Sequence, residues 1–159
     1  EKADSVKSGL RALIADEVAF LERNWPAGLP VCAIHADIFP DNVFFNEGHL
    51  SAVIDFYFSC TDYRAYDLAV AVNAWCFDSA QAFQGGRFAA LMGAYQRVIL
   101  LDRAETDAFT ILCRGAALRF LLTRLYDWIN HDPASFVKPH DPLAYAARLV
   151  HFREQGKQP

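Results

Sequence analysis

A predicted β-hairpin in the first half of the chain constrains the fold more than any other feature. Two short runs of apolar, β-prone residues, Val43–Phe45 and Leu50–Ile54, enclose a polar segment in which Gly48 can supply the positive φ of a tight turn. Asn42 and Asp55 flank the two runs. An antiparallel register brings residues at similar distances from the turn opposite each other. The sequence therefore predicts that an amide and a carboxylate side chain meet at the open end of the hairpin.

A third oxygen-bearing side chain, Asp37, lies five residues before Asn42. The apolar run Val31–Ile34 predicts a short buried strand that leads to Asp37, and His35 is placed to support the loop that follows. In protein kinases, a base Asp precedes a metal-binding Asn by five residues, and a second metal-binding Asp follows after a hairpin. Asp37, Asn42 and Asp55 have the same order. The pattern therefore predicts a catalytic base and two Mg²⁺ ligands.

Carboxylate and amide groups are the residue types that phosphoryl transfer requires. The reaction passes through a loose transition state, so the protein mainly has to hold Mg²⁺ and orient the attacking hydroxyl. Mg²⁺ prefers oxygen ligands and keeps several waters, so one carboxylate, one amide and the substrate phosphates form a sensible shell. The alternative is that Asp37, Asn42 and Asp55 are ordinary turn formers. The joint spacing, with a hairpin between the Asn and the second Asp, favours the kinase interpretation.

This stretch resembles the catalytic segment of the aminoglycoside phosphotransferase and choline kinase superfamily. The usual form there is H-G-D-x-x-x-x-N followed by I-D-aromatic, and Ala36 stands here in place of the usual Gly. Within the superfamily, the chain resembles the type II homoserine kinases, and the likeness extends over nearly its whole length. The segments that carry it are Ile34–Phe45, Val53–Cys60, Tyr66–Ala69, Asn73–Phe77, Arg114–Trp128 and Asp141–Tyr145.

The resemblance implies both a fold and an activity. The fold is mainly α (α+β): a protein-kinase-like C-terminal lobe, in which a helical bundle carries a small β-hairpin and the catalytic loop. The activity is ATP-dependent phosphorylation of the side-chain hydroxyl of L-homoserine, a step toward threonine. By the same resemblance, Asp37 is the catalytic base, and Asn42 and Asp55 bind Mg²⁺ and the nucleotide. His35 and Asp67 support the loop without taking part in the chemistry.

Substrate-binding residues are expected on the helices that follow the hairpin. An arginine fork suits the carboxylate of an amino acid, although an arginine more commonly pairs with a surface acid. Aromatic residues at helical spacing are more commonly part of the core than of a binding site. Arg114, Arg119 and Arg124 lie on one predicted helix, and we expect one of the three to be functional. The remaining candidates for contact with the substrate are Tyr57, Asn73, Trp75, Arg119 and Arg124.

Three other functions are conceivable for this sequence. A protein kinase is excluded, because the short segment between Asp55 and Asp67 leaves no room for an activation loop and lacks the D-F-G and A-P-E markers. Kinases of other small alcohols, such as choline, an aminoglycoside or a fructosamine, remain open because they share the same three residues. A noncatalytic binding module also remains open, although it would not need a base and two metal ligands.

The groups that bind the nucleotide phosphates in a complete kinase are not recognisable. We find no strand lysine, no helix glutamate paired with it and no glycine-rich cover. Gly85-Gly86 follows no strand and is predicted to be a loop before a helix. We therefore expect one domain over residues 1–159, a lobe whose N-terminal nucleotide-binding partner lobe is absent and which has little activity alone. The lysines lie near the ends or in polar surroundings, at Lys2, Lys7, Lys138 and Lys157.

Composition limits the partners and the location of the chain. With 53% apolar residues, the chain can bury one core. A net charge of −4 with scattered Lys and Arg argues against a nucleic-acid surface. No apolar run is long enough to span a membrane and no leader sequence is recognisable, so a cytoplasmic location without a membrane partner is expected. The four cysteines are widely spaced in apolar neighbourhoods and are predicted to be buried, reduced thiols.

Five helices are predicted from apolar periodicity and from helix start and stop signals. Pro133 and Pro139 are expected to bracket the loop before the last of them. The predicted helices are Ser5–Asn24, Asp67–Phe77, Arg87–Leu100, Glu105–Ile129 and Pro142–Phe152.

Overall fold

The computed structural model describes residues 2–132 and 134–156; Pro133 and Lys157, both named above, lie outside this range. Six α-helices and four short strands are present in the described residues. In chain order they are α1 (Lys2–Val6), α2 (Leu10–Asn24), β1 (Val31–Ile34), β2 (Val43–Asn46), β3 (His49–Val53), β4 (Cys60–Tyr63), α3 (Arg64–Trp75), α4 (Gly85–Gln96), α5 (Arg103–Ile129) and α6 (Leu143–Gln155). The fold is therefore mainly α, as predicted.

The predicted hairpin is present as the antiparallel pair of β2 and β3. Glu47 and Gly48 both have positive φ, of 50° and 79°, which is the backbone conformation of the two-residue turns that match strand twist. At the open end, the backbone N–H of Ile54 donates to the carbonyl oxygen of Asn42 at 3.0 Å. The ends of the two strands are therefore fixed against each other next to Asn42 and Asp55.

The strand β1 is present but not buried, so that part of the prediction is wrong. β1 pairs with β4, a strand that the sequence pattern does not predict, in an antiparallel ribbon that matches Val31 with Tyr63. Val31 is 59% exposed, and only Ile34 at the other end of β1 is buried. A two-stranded ribbon covers neither of its own faces, so only the end that reaches the helices is enclosed.

The helix predictions hold for position but not for every boundary. The predicted helix Ser5–Asn24 is divided into α1 and α2, because Gly9 adopts φ 81°, a left-handed conformation that interrupts a helix. Gly85 and Gly86 form the first two residues of α4 and not a loop before it. Among the described residues, no helix is long and apolar enough to cross a membrane.

The core lies where α3, α5 and α6 pack against each other. The longest helix, α5, supplies buried side chains along most of its length, including Leu112 and Leu121, both with 0% exposure. Asp102 and Glu105 form a capping box at its start, with Glu105 N–H donating to the Asp102 carboxylate at 2.8 Å. This helical core provides the surface on which the loop between β1 and β2 rests.

Candidate active site

The loop from His35 to Asn42, here called the catalytic loop, is attached to the start of α3 by one carboxylate. Asp67 lies in the first turn of α3 and accepts the backbone N–H of His35 at 3.1 Å and that of Ala36 at 2.7 Å. Two charge-assisted hydrogen bonds to neighbouring amides fix the direction in which the chain leaves β1. The carboxylate of Asp67 is thereby occupied by the backbone and faces the loop.

His35 connects the catalytic loop to the end of the hairpin. Its Nδ1 accepts the backbone N–H of Asp37 at 3.2 Å, and its Nε2 lies 2.9 Å from the carbonyl oxygen of Ile54. Because Nδ1 is an acceptor, the proton of the neutral ring sits on Nε2, which donates to Ile54. The ring also packs against Phe56, with 4.6 Å between ring centroids. His35 therefore bonds the backbone of Asp37 and the backbone just before Asp55, and so fixes the distance between them in space.

Asp37 and Asn42 contact each other directly. The Nδ2 group of Asn42 donates to the backbone oxygen of Asp37 at 2.8 Å and to its carboxylate Oδ2 at 3.2 Å. Burial raises the pKa of Asp37 above its ordinary value, and the nearby carboxylate of Asp55 raises it further. Arg119, Asn42 and His35 act in the opposite direction. The net effect is a carboxylate that is a stronger base than an exposed Asp.

Asp37, Asn42 and Asp55 line one cavity of about 260 Å³. Asp55 is exposed and adopts φ 62°, a left-handed conformation that turns the chain at the end of the hairpin. The far wall of the cavity is formed by the C-terminal part of α5, including Arg124. The cavity therefore places a base, an amide, a second carboxylate and a guanidinium around a space suited to a small metabolite.

The donor atoms on the hairpin side fit Mg²⁺. Because Nδ2 of Asn42 faces Asp37, its Oδ1 is left available, and within residues 2–132 and 134–156 no hydrogen bond is directed at the carboxylate of Asp55. The described residues contain no group of three or more His, Cys, Asp or Glu that could hold a metal. A carboxylate and an amide oxygen suit Mg²⁺, which takes few protein ligands and fills its shell with water and phosphate oxygens.

Arg119 and Trp75 contact the catalytic loop from the helical side. An Nη1 of Arg119 donates to the carbonyl oxygen of Ala36 at 2.6 Å, and Nε1 of Trp75 donates to that of Ile38 at 2.8 Å. Both residues were predicted to contact the substrate. The structure instead directs their donors to backbone carbonyls of the loop, because these carbonyls have no partner in a sheet or helix.

Two other predicted substrate residues lie away from the cavity. Asn73 is fully buried, and its Nδ2 donates to the carbonyl oxygens of Ala69 and Cys113, which places it between α3 and α5. Tyr57 is 86% exposed and packs edge-on against Phe58. Neither side chain lines the space beside Asp37. Asn73 is separated from the site by its burial between the helices, and Tyr57 by its exposure to solvent.

Four polar residues that line the cavity were not predicted. Asp41 follows from its place beside Asn42 in the catalytic loop. Asp127 lies three residues after Arg124 on α5, and Thr123 lies four residues before Asp127, so helical spacing was a signal that could have found both. His140 comes from the loop before α6, and no sequence signal connects it to the site.

The chain is similar in sequence to a family of phosphotransferases and in fold to a kinase. The model of the phosphotransferase enzyme family matches residues 1–101, and the chain belongs to this family. Among solved structures, an ethanolamine kinase from Plasmodium vivax is similar, with a TM-score of 0.60 over 92% of this chain and 40% of that one. At 20% sequence identity this likeness concerns the fold alone.

Two similar curated proteins carry the same name. A homoserine kinase of Rhodospirillum rubrum is 52% identical over 153 residues, which are 96% of this chain and 48% of that protein. A homoserine kinase of Methylobacterium radiotolerans is 54% identical over 153 residues, with the same two shares. The chain therefore spans about half the length of the curated relatives it matches.

Proposed function

We propose that this chain is the catalytic lobe of a kinase that phosphorylates the side-chain hydroxyl of L-homoserine with ATP. The observation that carries the proposal is the single cavity that Asp37, Asn42 and Asp55 share. The substrate is inferred from the homoserine kinases that are 52% and 54% identical over 96% of the chain. The product would serve the formation of threonine, and the cytoplasmic location expected from composition stays a prediction.

In the proposed reaction, Asp37 accepts the proton of the attacking hydroxyl. The hydroxyl oxygen forms a bond to the γ-phosphorus while the bond between that phosphorus and the bridging oxygen breaks, so that ADP leaves with the electron pair. The burial that raises the pKa of Asp37 makes it a better proton acceptor, and Asn42 orients its carboxylate. The proton ends on Asp37 and passes to solvent after the product leaves.

The other residues of the proposed site hold or position groups. Asn42 and Asp55 would hold Mg²⁺, which, when bound, neutralises charge on the phosphate oxygens. Asp67 and His35 fix the backbone on either side of Asp37, and Arg119 holds the carbonyl group of Ala36 from the opposite side. Positioning of this kind supports catalysis because small displacements of a base reduce the rate steeply.

We further propose that a second lobe binds the nucleotide phosphates. In the relatives, this lobe would lie in the half of the sequence that this chain does not match. The chain spans 48% of the relatives from R. rubrum and M. radiotolerans, which leaves room for such a lobe. The lysine and glycine-rich cover that kinases use for phosphates would belong to it. A noncatalytic binding module is disfavoured. Such a module has no need for a carboxylate with a raised pKa, that of Asp37, beside the amide oxygen of Asn42 and the carboxylate of Asp55, which could bind a metal ion.

The test is the release of ADP by the complete protein with Mg-ATP and one alcohol at a time. The panel is L-homoserine, choline, an aminoglycoside and a fructosamine. Asp37→Asn keeps the size and the contact with Asn42 but removes the base, so we expect a loss in kcat of about 10²–10⁴-fold. Asp107→Asn is the matched control, because this carboxylate is 69% exposed at the start of α5, where it faces Arg103.

Activity on homoserine alone, lost in Asp37→Asn and kept in Asp107→Asn, would establish the base and the substrate. Activity on another alcohol of the panel would reassign the substrate and leave the site intact. A folded protein with no activity on any alcohol would overturn the kinase proposal and favour the binding module. Circular dichroism of each variant separates loss of activity from loss of fold.

A further inference from the structure

Arg124 differs from the other arginines of α5 because its guanidinium has no polar partner among the described residues. Arg114 is buried and forms two hydrogen bonds with Glu17, at 2.7 and 2.8 Å. Arg119 donates to the carbonyl oxygen of Ala36. Arg124 makes ring contacts instead and lines the cavity that contains Asp37. Of the four arginines of α5, it is the one that forms no hydrogen bond or ion pair within the described residues, so all its donors are available to a ligand.

Aromatic rings hold the guanidinium of Arg124 in place without using its N–H donors. Its Cζ lies 4.5 Å from the ring centroid of Tyr145 and 5.9 Å from that of Phe39. Tyr145 is fully buried, so its ring is a fixed platform. Stacking on a ring orients the planar fork and reduces the entropy lost when two parallel hydrogen bonds form with a carboxylate. Arg124 is therefore preorganised for an anion of carboxylate geometry.

Asp127 places a negative charge beside Arg124 on the same wall of the cavity. The two residues are three positions apart on α5, which makes them neighbours on the helix surface. Within the described residues they form no ion pair with each other, so both charges face the cavity unpaired. Of the side chains that line this space in the described part of the chain, Arg124 is the only arginine or lysine.

We propose that Arg124 and Asp127 form a site for the zwitterionic end of an α-amino acid. Arg124 binds the carboxylate and Asp127 binds the ammonium group, while the hydroxyl at the far end of the side chain reaches Asp37. An α-amino acid carries both charges on one carbon, so its binding groups must be adjacent, as these two are. The inference rests on the proposed kinase function and identifies what would make that kinase select an amino acid over a plain alcohol.

Asp41 is the rival for the ammonium group, because its carboxylate also lines the cavity. It lies next to Asn42 in the short 3₁₀ turn Pro40–Asn42, on the side where Mg²⁺ would be held. A positive group there would compete with the metal ion for the same region. Asp127 lies on the opposite wall and beside the carboxylate-binding group, which favours it over Asp41.

The test uses two analogues that each lack one charge of L-homoserine. In 3-aminopropan-1-ol the carboxylate is missing, and in 4-hydroxybutanoate the ammonium group is missing. Each compound is measured with the complete protein, both as a substrate and as a competitive inhibitor of homoserine phosphorylation. The variants are Arg124→Gln, Arg124→Lys, Asp127→Asn and, to test the rival assignment, Asp41→Asn.

We expect Arg124→Gln to lower kcat/KM for homoserine by about 10–100-fold, the range for a lost hydrogen bond to a charged group, without changing kcat/KM for 3-aminopropan-1-ol. Asp127→Asn should lower kcat/KM for homoserine to a similar extent without changing kcat/KM for 4-hydroxybutanoate. Arg124→Lys keeps the charge but loses the fork, so its loss should be smaller. Because each variant is judged by the ratio between two substrates or inhibitors, a general loss of fold does not imitate the result.

Unchanged ratios in Arg124→Gln and Asp127→Asn, with homoserine still phosphorylated by the parent protein, would overturn this inference and leave the proposed function standing. A changed ratio in Asp41→Asn instead of Asp127→Asn would overturn the assignment of Asp127. If the parent protein phosphorylates none of the three compounds, the proposed function fails, and the inference fails with it.

Discussion

At the scale of single residues, Ala36 has a backbone conformation that suits glycine. Its φ is 62°, and its contacts with Asp67 and Arg119 are made by backbone atoms only. A left-handed alanine costs roughly 1–2 kcal/mol, whereas its buried methyl group contributes about 0.8 kcal/mol. We therefore expect Ala36→Gly to change the free energy of unfolding by less than about 1 kcal/mol, because relief of strain offsets the lost methyl group and the added chain entropy.

Ala69 provides the matched control, since it is equally buried but lies inside α3. Ala69→Gly should cost about 2 kcal/mol, from about 1 kcal/mol of helix propensity and the same lost methyl group. Urea denaturation of both variants gives the comparison. An equal loss in the two variants would show that Ala36 is not strained. Ala36→Val should be severely destabilising, because a β-branched residue is a genuine outlier at positive φ.

Some residues of the site could be predicted from the sequence and others could not. The spacing of Asp37, Asn42 and Asp55 predicted one site, and the structure brings the three to one cavity. The partner of Arg119 could not be predicted, because it is a backbone carbonyl 83 residues earlier, and sequence spacing does not encode such a contact. The hydrogen bond from Trp75 to Ile38 has the same cause.

At the scale of elements, two glycines inside helices have different surroundings. A methyl group added at Gly115 in α5 would overlap two ring atoms of Trp25, whereas one added at Gly93 in α4 meets no atom within 4 Å. Helix propensity favours alanine at both positions by about 1 kcal/mol. Overpacking costs about 1–3 kcal/mol, so it outweighs propensity at Gly115. We expect Gly93→Ala to stabilise the protein and Gly115→Ala to destabilise it.

Thermal unfolding of the two alanine variants measures this difference. A combined variant, Gly115→Ala with Trp25→Ala, tests its cause, because removal of the ring should restore the gain in helix propensity at residue 115. If Gly115→Ala stabilises the protein as much as Gly93→Ala does, Trp25 moves aside without cost and the packing argument is wrong.

The elements themselves were predictable to the extent that their patterns are local. The hairpin of β2 and β3 carries its own turn signal, and the structure confirms it. The strand β4 was missed because Cys60–Tyr63 contains polar residues and gains its structure from pairing with β1, about thirty residues away. Strand formation by pairing with a distant partner is a tertiary effect that local propensity does not report.

At the scale of the whole molecule, one ion pair joins the starts of α3 and α5. Arg64 donates to both carboxylate oxygens of Glu105, at 2.7 and 2.6 Å, and the side chain of Glu105 is completely buried. Glu105 also accepts the backbone N–H of Asp102 at 2.9 Å. The hydrogen bonds from Arg64, followed by that from Asp102, lower the pKa of Glu105 below its ordinary value of 4.5, although burial opposes them.

A lowered pKa in the folded state makes the stability of the protein depend on pH. The stabilisation is present above pH 4.5, the ordinary pKa, and is lost as the pH falls through the lowered pKa of folded Glu105. Glu105→Gln has no carboxylate to protonate. We therefore expect this variant to be less stable than the parent at pH 7 and the difference in free energy of unfolding to narrow steadily as the pH falls below 4.5.

Urea denaturation between pH 7 and pH 3 measures the stability of both proteins. Glu22→Gln is the control, because Glu22 is exposed and forms no ion pair within the described residues. A constant difference across this range would mean that Glu105 acts through its shape and hydrogen bonds and that its charge does not join the two helices.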